Sequence, residues 1–237
     1  MVHACADKET PFHGPVEFNC TGRVELWNPV SGIAEEIPAT QANGKTLLDI
    51  ELKRAECAFV VFHHDGKASQ AKQRRNMESL PLSAQSWTVS FPGGWGIDAP
   101  LQTTSLKPWN ELISSAEGKA FSGTATYRTT LHMDKVDKNA RYMLQLGQVE
   151  MIAVVRLNGQ ELGTLWTEPY QADITSALKK GDNTLEIDVT SSWYNRLVYD
   201  AALPEAQRKT WVISGPGKDE KMRPNGLLGP VAIEMIK

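Results

Sequence analysis

Two short runs set aromatic side chains beside hydrogen-bonding groups. One is Trp166-Thr167-Glu168-Pro169-Tyr170; the other is Trp193-Tyr194-Asn195-Arg196, with Asp200 and then Trp211 further along. Indole and phenol faces stack on the C–H surfaces of sugar rings, while amide, carboxylate and guanidinium groups read hydroxyls. Trp166, Tyr170, Trp193, Asn195, Arg196 and Asp200 are therefore candidate carbohydrate-binding residues. A competing reading makes the tryptophans core or rim aromatics. In it, Arg196 and Asp200 form a charge-assisted pair that orders their loop.

Other chemistries find less support. There are 28 Asp plus Glu residues, but no local pattern singles out two that would flank one glycosidic bond at roughly 5–10 Å. Glu186 and Asp188 alternate along a strand and Asp182 sits beside a turn, where solvent exposure accounts for them. No serine has a nucleophile-elbow pattern around it, and Pro92-Gly93-Gly94 is a turn rather than a phosphate cradle. His63-His64 reads as a loop end, because adjacent strand residues point to opposite faces and cannot easily share a metal. No catalytic residue and no metal ligand is expected.

The net charge is −3, which gives no global attraction to nucleic acid or an anionic membrane. The run Lys72, Arg74, Arg75 has no aromatic neighbours and reads as a solvated loop. No apolar stretch approaches the length of a membrane span. The first dozen residues lack the charged and apolar regions of a signal peptide; they do not read like the start of a domain, so the chain is expected to begin inside something larger. Cys5, Cys20 and Cys57 show no metal-type spacing and leave an odd count. One disulfide is compatible with them, Cys5–Cys20 being the pairing considered. Asn19-Cys20-Thr21 matches a glycosylation acceptor by pattern alone.

The elements that must position the candidate residues are strands. Val24–Trp27, Thr46–Leu52 and Ala58–Phe62 are punctuated by Asn28-Pro29, Ser31-Gly32 and Asn43-Gly44. Beyond a polar stretch the strand signals become denser: Trp87–Phe91, Thr124–Met133, Tyr142–Leu146, Ile152–Leu157, Leu162–Trp166, Leu185–Val189 and Val231–Ile236. Asn158-Gly159 between two of them is a strong hairpin signal, since both residues tolerate positive φ. Pro108–Leu112, Ile174–Leu178 and Pro204–Arg208 read as one or two helical turns each. Many short strands without alternating long helices predict an antiparallel sandwich.

Three runs carry a family resemblance: FSGTATYRTTLHM at 121–133, the stretch from Leu144 to Asp200, and NGLLGPVAIEM at 225–235. Together they resemble the C-terminal region of glycoside hydrolase family 106 enzymes. Those are α-L-rhamnosidase-like proteins whose C-terminal module is akin to the sugar-binding domain of family 2 glycosidases. The resemblance covers about residues 85–237. It extends to 15–62, where VELWNPVSGIAEEIP resembles the small β-domain before that module. It implies an all-β chain, with a galactose-binding-like antiparallel jelly-roll sandwich over residues 81–237 preceded by a small β-domain over 1–80.

Gly123, Gly147, Asn158, Gly159, Gly163, Trp166, Gly181 and Asn183 carry over as fold determinants, with Asp173 capping a short helix at Ile174–Leu178. Trp193, Asn195, Arg196 and Asp200 match the family's Asn-Arg-Leu…Asp segment, a loop that can lean against the catalytic barrel in related glycosidases. Gln145 stands where Asp is common, and Tyr199 where Gly is common. The superfamily's catalytic acids belong to a separate upstream (β/α)₈ barrel, a pattern this chain lacks.

The resemblance thus implies a fragment of a glycoside hydrolase, a non-catalytic accessory module that binds glycan or completes the parent's active site. Its partner would be carbohydrate or the parent's catalytic domain. A purely structural sandwich packed on that barrel is the alternative, and a hydrolase in its own right a third reading. No cofactor is implied, although a structural calcium is compatible with the fold. The parent is expected in the periplasm or outside the cell.

Overall fold

The computed structural model describes residues 1–7, 9–64, 77–82 and 85–237. The run Lys72, Arg74, Arg75 lies outside them. The chain divides into two compact units, Met1–Arg75 and Asn76–Lys237.

The first unit contains β1 (Val2–Cys5), β2 (Phe12–Phe18), β3 (Arg23–Trp27), β4 (Ala34–Glu36), β5 (Thr40–Ala42), β6 (Lys45–Leu52) and β7 (Cys57–His63). They form one sheet in the order β1-β7-β3-β4 and another in the order β2-β6-β5. Strict alternation along β6 sends Thr46, Leu48, Ile50 and Leu52 inward, as a period-2 strand with one wet face requires. Leu48, Ile50 and Leu52 meet Val24, Ala58 and Val60 in a small core. Cys5 stands directly opposite Cys57 in the β1–β7 register, and these two are joined by the disulfide, with Cα atoms 4.2 Å apart. This replaces the Cys5–Cys20 pairing considered from sequence, and Cys20 keeps a free thiol. The partner was set by long-range strand register, which proximity in sequence does not reveal.

The second unit begins with β8 (Met77–Pro81), β9 (Trp87–Ser90) and β10 (Leu101–Thr103), then the short helices α1 (Trp109–Leu112) and α2 (Ala116–Lys119). Next come β11 (Thr124–Met133), β12 (Arg141–Gln145), β13 (Gln148–Glu150), β14 (Ile152–Leu157), β15 (Gln160–Leu165), β16 (Gln171–Asp173) and β17 (Gly181–Thr190). It closes with α3 (Tyr194–Ala201), β18 (Gly226–Gly229) and β19 (Ala232–Ile236). One sheet has the order β10-β9-β11-β17-β14-β15, another β16-β12-β19-β8, and β13 pairs with β18. The unit starts ahead of residue 81 because β8 pairs with β19.

Between the two larger sheets lies the core. Trp87, Val89, Tyr127, Leu144, Leu146, Val155, Leu157, Leu185, Ile187 and Val189 are all buried in it. The burial pattern of β11 alternates along most of its ten residues, and its partner β17 runs beside it from Thr124↔Thr190 to Met133↔Gly181. Each β-branched or aromatic side chain thus packs against a cross-strand neighbour. The chain is all-β, and its second unit is an antiparallel sandwich.

Asn158 (φ 54°) and Gly159 (φ 82°) make a two-residue turn between β14 and β15. Asn158 also has a buried role: Nδ2 donates to the Ala177 carbonyl and to Asn183 Oδ1, both at 2.8 Å. Residues 174–178 form a single hydrogen-bonded turn rather than a helix, with Leu178 N–H donating to the Ile174 carbonyl at 2.9 Å. Asp173 Oδ1 accepts from Thr175 N–H there at 3.0 Å. Gly181 and Asn183, carried over as fold determinants, lie at the start of β17. The segment after Trp193, read as a loop, is the helix α3.

Candidate functional site

Antiparallel register gathers several strand ends at one end of the six-stranded sheet. Thr124, the first residue of β11, faces Thr190, the last of β17; Thr190 also faces Ile152, the first of β14. Leu165, the last of β15, faces Ala153, and Ser90, the last of β9, faces Thr126. The chain segments leaving these ends therefore carry Trp95, Trp166 and Trp193 to the same end of the sandwich. Trp193 and Trp166 are 49% and 62% exposed there.

Beneath Trp193 the surface is organised by one cation. The Trp193 ring tilts against Trp95, with centroids 5.9 Å apart, and Trp95 stands edge-on to buried Phe121. The Arg196 guanidinium lies 5.2 Å from the Trp95 ring centroid and 5.1 Å from that of Tyr199. A cation held between two aromatic faces is attracted to both ring quadrupoles, so the tyrosine standing where glycine is common supplies one wall. Arg196 is 1% exposed. Its Nη1 lies 3.0 Å from Glu117 Oε1 and its Nη2 2.7 Å from Asp200 Oδ1.

Along α3 the polar residues turn inward and hold the long segment that follows. Asp200 Oδ2 accepts from Lys209 N–H at 3.0 Å, Thr210 N–H at 2.8 Å and Thr210 Oγ1 at 2.6 Å. Asn195 exchanges two 2.8 Å hydrogen bonds with the Arg223 backbone. The Lys209 ammonium reaches back 2.7 Å from Glu117 Oε1 and sits 5.2 Å from the Trp95 centroid. Between the two anchor points the chain exposes Trp211 (82%) and Ile213 (90%).

The candidates therefore divide. Trp193 is a surface group. Asn195, Arg196 and Asp200 are joined to it structurally but lie buried below, where they shape the surface. Tyr170 donates from its hydroxyl to the Met151 carbonyl at 2.7 Å, and Met151 N–H donates to the Thr190 carbonyl, tying it to the same sandwich end. Among the described residues, no hydrogen bond or ring contact joins Trp166 or Tyr170 to the Trp193 group. Trp95, Glu117, Tyr199 and Lys209 were not foreseen. The spacing of Arg196 and Asp200 was the available signal for α3, since residues four apart meet on a helix face.

Two carboxyls of this site are held below the ordinary carboxylate range. At Glu117 the hydrogen bond from Lys209 is the largest cause, burial opposes it and Arg196 adds to it. At Asp200 burial pushes the carboxyl up, but the bonds from Thr210 and Arg196 outweigh it. A group lowered in the folded state contributes stability that is present above its unfolded value, about 4 for a carboxylate. That contribution is lost as pH falls through the folded value. The melting temperature of the second unit is expected to drop below about pH 4, and Asp200→Asn to flatten the drop. An acid profile parallel to the parent's in that variant would remove Asp200 from the account.

Comparison with known proteins agrees with the fold. Residues 115–223 match the family described as glycosyl hydrolase 2 galactose-binding domain-like. This is a glycoside hydrolase-related galactose-binding-like sandwich. The matched residues include α3 and the segment it anchors. In an alignment of 190 residues the chain is 34% identical to a Formosa agariphila protein named "Putative beta-glucuronidase", with 68% of this chain and 16% of that one covered. It superposes on a rhamnosidase from Novosphingobium sp. PP1Y with a TM-score of 0.85 and 32% identity, covering 98% of this chain and 22% of that one. A Ruminococcus gnavus beta-glucuronidase shares the fold at 19% identity and a TM-score of 0.50, over 70% of this chain and 29% of that one. The chain thus spans under a third of the length of each relative.

Proposed function

We propose that the second unit is a non-catalytic accessory module of an α-L-rhamnosidase-like (family 106) glycoside hydrolase, placed toward the parent's C-terminal end. In this reading it presents Trp193, with Trp95 behind it, as a face for carbohydrate. Trp166 and Tyr170 extend the same sandwich end, while Asn195, Arg196 and Asp200 fix the face from below. The observation that carries the reading is an indole half exposed at a strand end and backed by an aromatic and cationic layer. Stacking faces that bind sugar are built rigid in this way, because a pre-ordered face loses less side-chain entropy on binding. The parent is assigned to the periplasm or cell exterior, where the exposed Cys5–Cys57 disulfide would persist. Among the described residues no helix is long and apolar enough to cross a membrane.

A second reading has its own support. Trp211 and Ile213 are apolar, highly exposed and pinned near α3, which suits packing against the parent's catalytic domain. A glycan-array screen followed by calorimetric titration of the chain separates the two. If the face binds sugar, Trp193→Ala should weaken glycan binding at least tenfold, while stability falls by only about 1–2 kcal/mol, because half of the indole is buried against Trp95. Absence of glycan binding at any attainable concentration would leave the packing role.

A further inference from the structure

The β1–β7 register does more than join two cysteines. His3 and Cys5 are two residues apart on β1, so their side chains emerge on one face, and Cys57 faces Cys5 across the ladder. One ligand atom from each of His3, Cys5 and Cys57 lies within 4.8 Å of the others. β1 is the outer strand of its sheet, and His3 and Cys5 are exposed. The His3 imidazole rests against Phe59, with centroids 5.0 Å apart, and among the described residues its nitrogens make no hydrogen bond.

From these positions we infer a second state of the cross-link: once the disulfide is reduced, His3, Cys5 and Cys57 form a site for a thiophilic cation such as Zn²⁺. Zinc binds thiolate sulfur at about 2.3 Å and imidazole nitrogen at about 2.0 Å, so tetrahedral ligand atoms stand roughly 3.5–3.8 Å apart. The three atoms lie within 4.8 Å of one another on a paired ladder, reduction frees the two sulfurs to separate to that spacing, and water fills the fourth position. The chemistry balances with a phosphine as reductant. The disulfide accepts two electrons and two protons to give two thiols, and the phosphine takes the oxygen of one water to become its oxide. Zn²⁺ then binds both thiolates and releases two protons, with His3 binding as the neutral imidazole. In an oxidising compartment the disulfide is the resident tie between β1 and β7, and the metal tie is the form taken once a reductant opens it. No sequence spacing betrays this site, because Cys57 reaches it only through strand pairing.

The experiment uses the full chain with Cys20→Ser, which removes the remaining thiol. Protein is reduced with tris(2-carboxyethyl)phosphine, desalted without oxygen and titrated with Zn²⁺ against a chromophoric chelator, with native mass spectrometry to count bound metal. The expected result is one zinc per reduced chain and none per oxidised chain. His3→Ala should lower the affinity at least tenfold, and Cys57→Ser should abolish stoichiometric binding. Zinc should also restore amide-exchange protection in β1 lost on reduction; if the reduced unit unfolds, zinc should refold it. No zinc beyond the oxidised control, an unchanged affinity in His3→Ala, or loss of β1 protection that zinc leaves unrepaired would each overturn the inference.

Discussion

Arg196→Met is expected to destabilise the second unit by about 3–5 kcal/mol, the cost of leaving one member of a buried ion pair alone. For a unit of this size that is a fall of roughly 6–20 °C in melting temperature. Asp200 is 2% exposed and would lose the guanidinium 2.7 Å away, while Glu117 would keep only Lys209. Trp95 and Tyr199 would lose the plane between them. Lysine is a poor substitute, because a single ammonium cannot hold two carboxylates at opposite ends of a planar fork. Arg196→Lys should recover less than half of the loss. A melting temperature within 2–3 °C of the parent for Arg196→Met, a shift of about 1 kcal/mol, would show that the network does not hold this end of the sandwich. The contrast with Trp193→Ala matters: one variant should cost mainly stability, the other mainly binding.

Gly147→Ala should be comparably severe, for a steric reason. Gly147 has φ +66°, and a Cβ there would fall 2.3 Å from the carbonyl carbon and oxygen of Gly229 and 2.6 Å from Pro230 N. These are backbone atoms that cannot rotate aside, at the point where residues 147 and 229 form an isolated parallel bridge. Left-handed backbone costs a non-glycine residue about 1 kcal/mol or more, and overpacking adds about 1–3 kcal/mol, so a loss of roughly 3 kcal/mol is expected in denaturant unfolding. Gly159→Ala is the control. Its φ is +82° but nothing lies within 4 Å of an added Cβ, so only the backbone share, about 1 kcal/mol, should be lost. Equal losses in the two variants would show that the close approach of 147 to 229 is unimportant.

Local pattern made the strands legible. β11 and β14 run over Thr124–Met133 and Ile152–Leu157, the limits read from alternation. α3 was missed because its buried face is not apolar: Asn195, Arg196 and Asp200 lie inward with Val198, and hydrophobic periodicity cannot register polar residues buried for their hydrogen bonds. The candidate site was half legible for a related reason. Trp193, Arg196 and Asp200 are near in sequence, whereas Trp95 and Glu117 arrive from β9 and α2, about eighty to a hundred residues earlier, through pairings that no local window contains. The disulfide partner was hidden in the same way, Cys57 lying 52 positions after Cys5.

The pairing of β8 with β19 sets Met77 directly opposite Ile236. Partners across an antiparallel ladder are only about 5 Å apart, so the second unit enters and leaves its fold at one place. Such a body can be spliced into a polypeptide as a closed insert, since the flanking segments meet side by side without either having to cross it. It can also be recut: a few linking residues from Ile236 to Met77 would close the ring, and new ends belong at an exposed turn other than Asn158-Gly159, whose Asn158 side-chain amide is bonded to Ala177, Asn183 and Thr184.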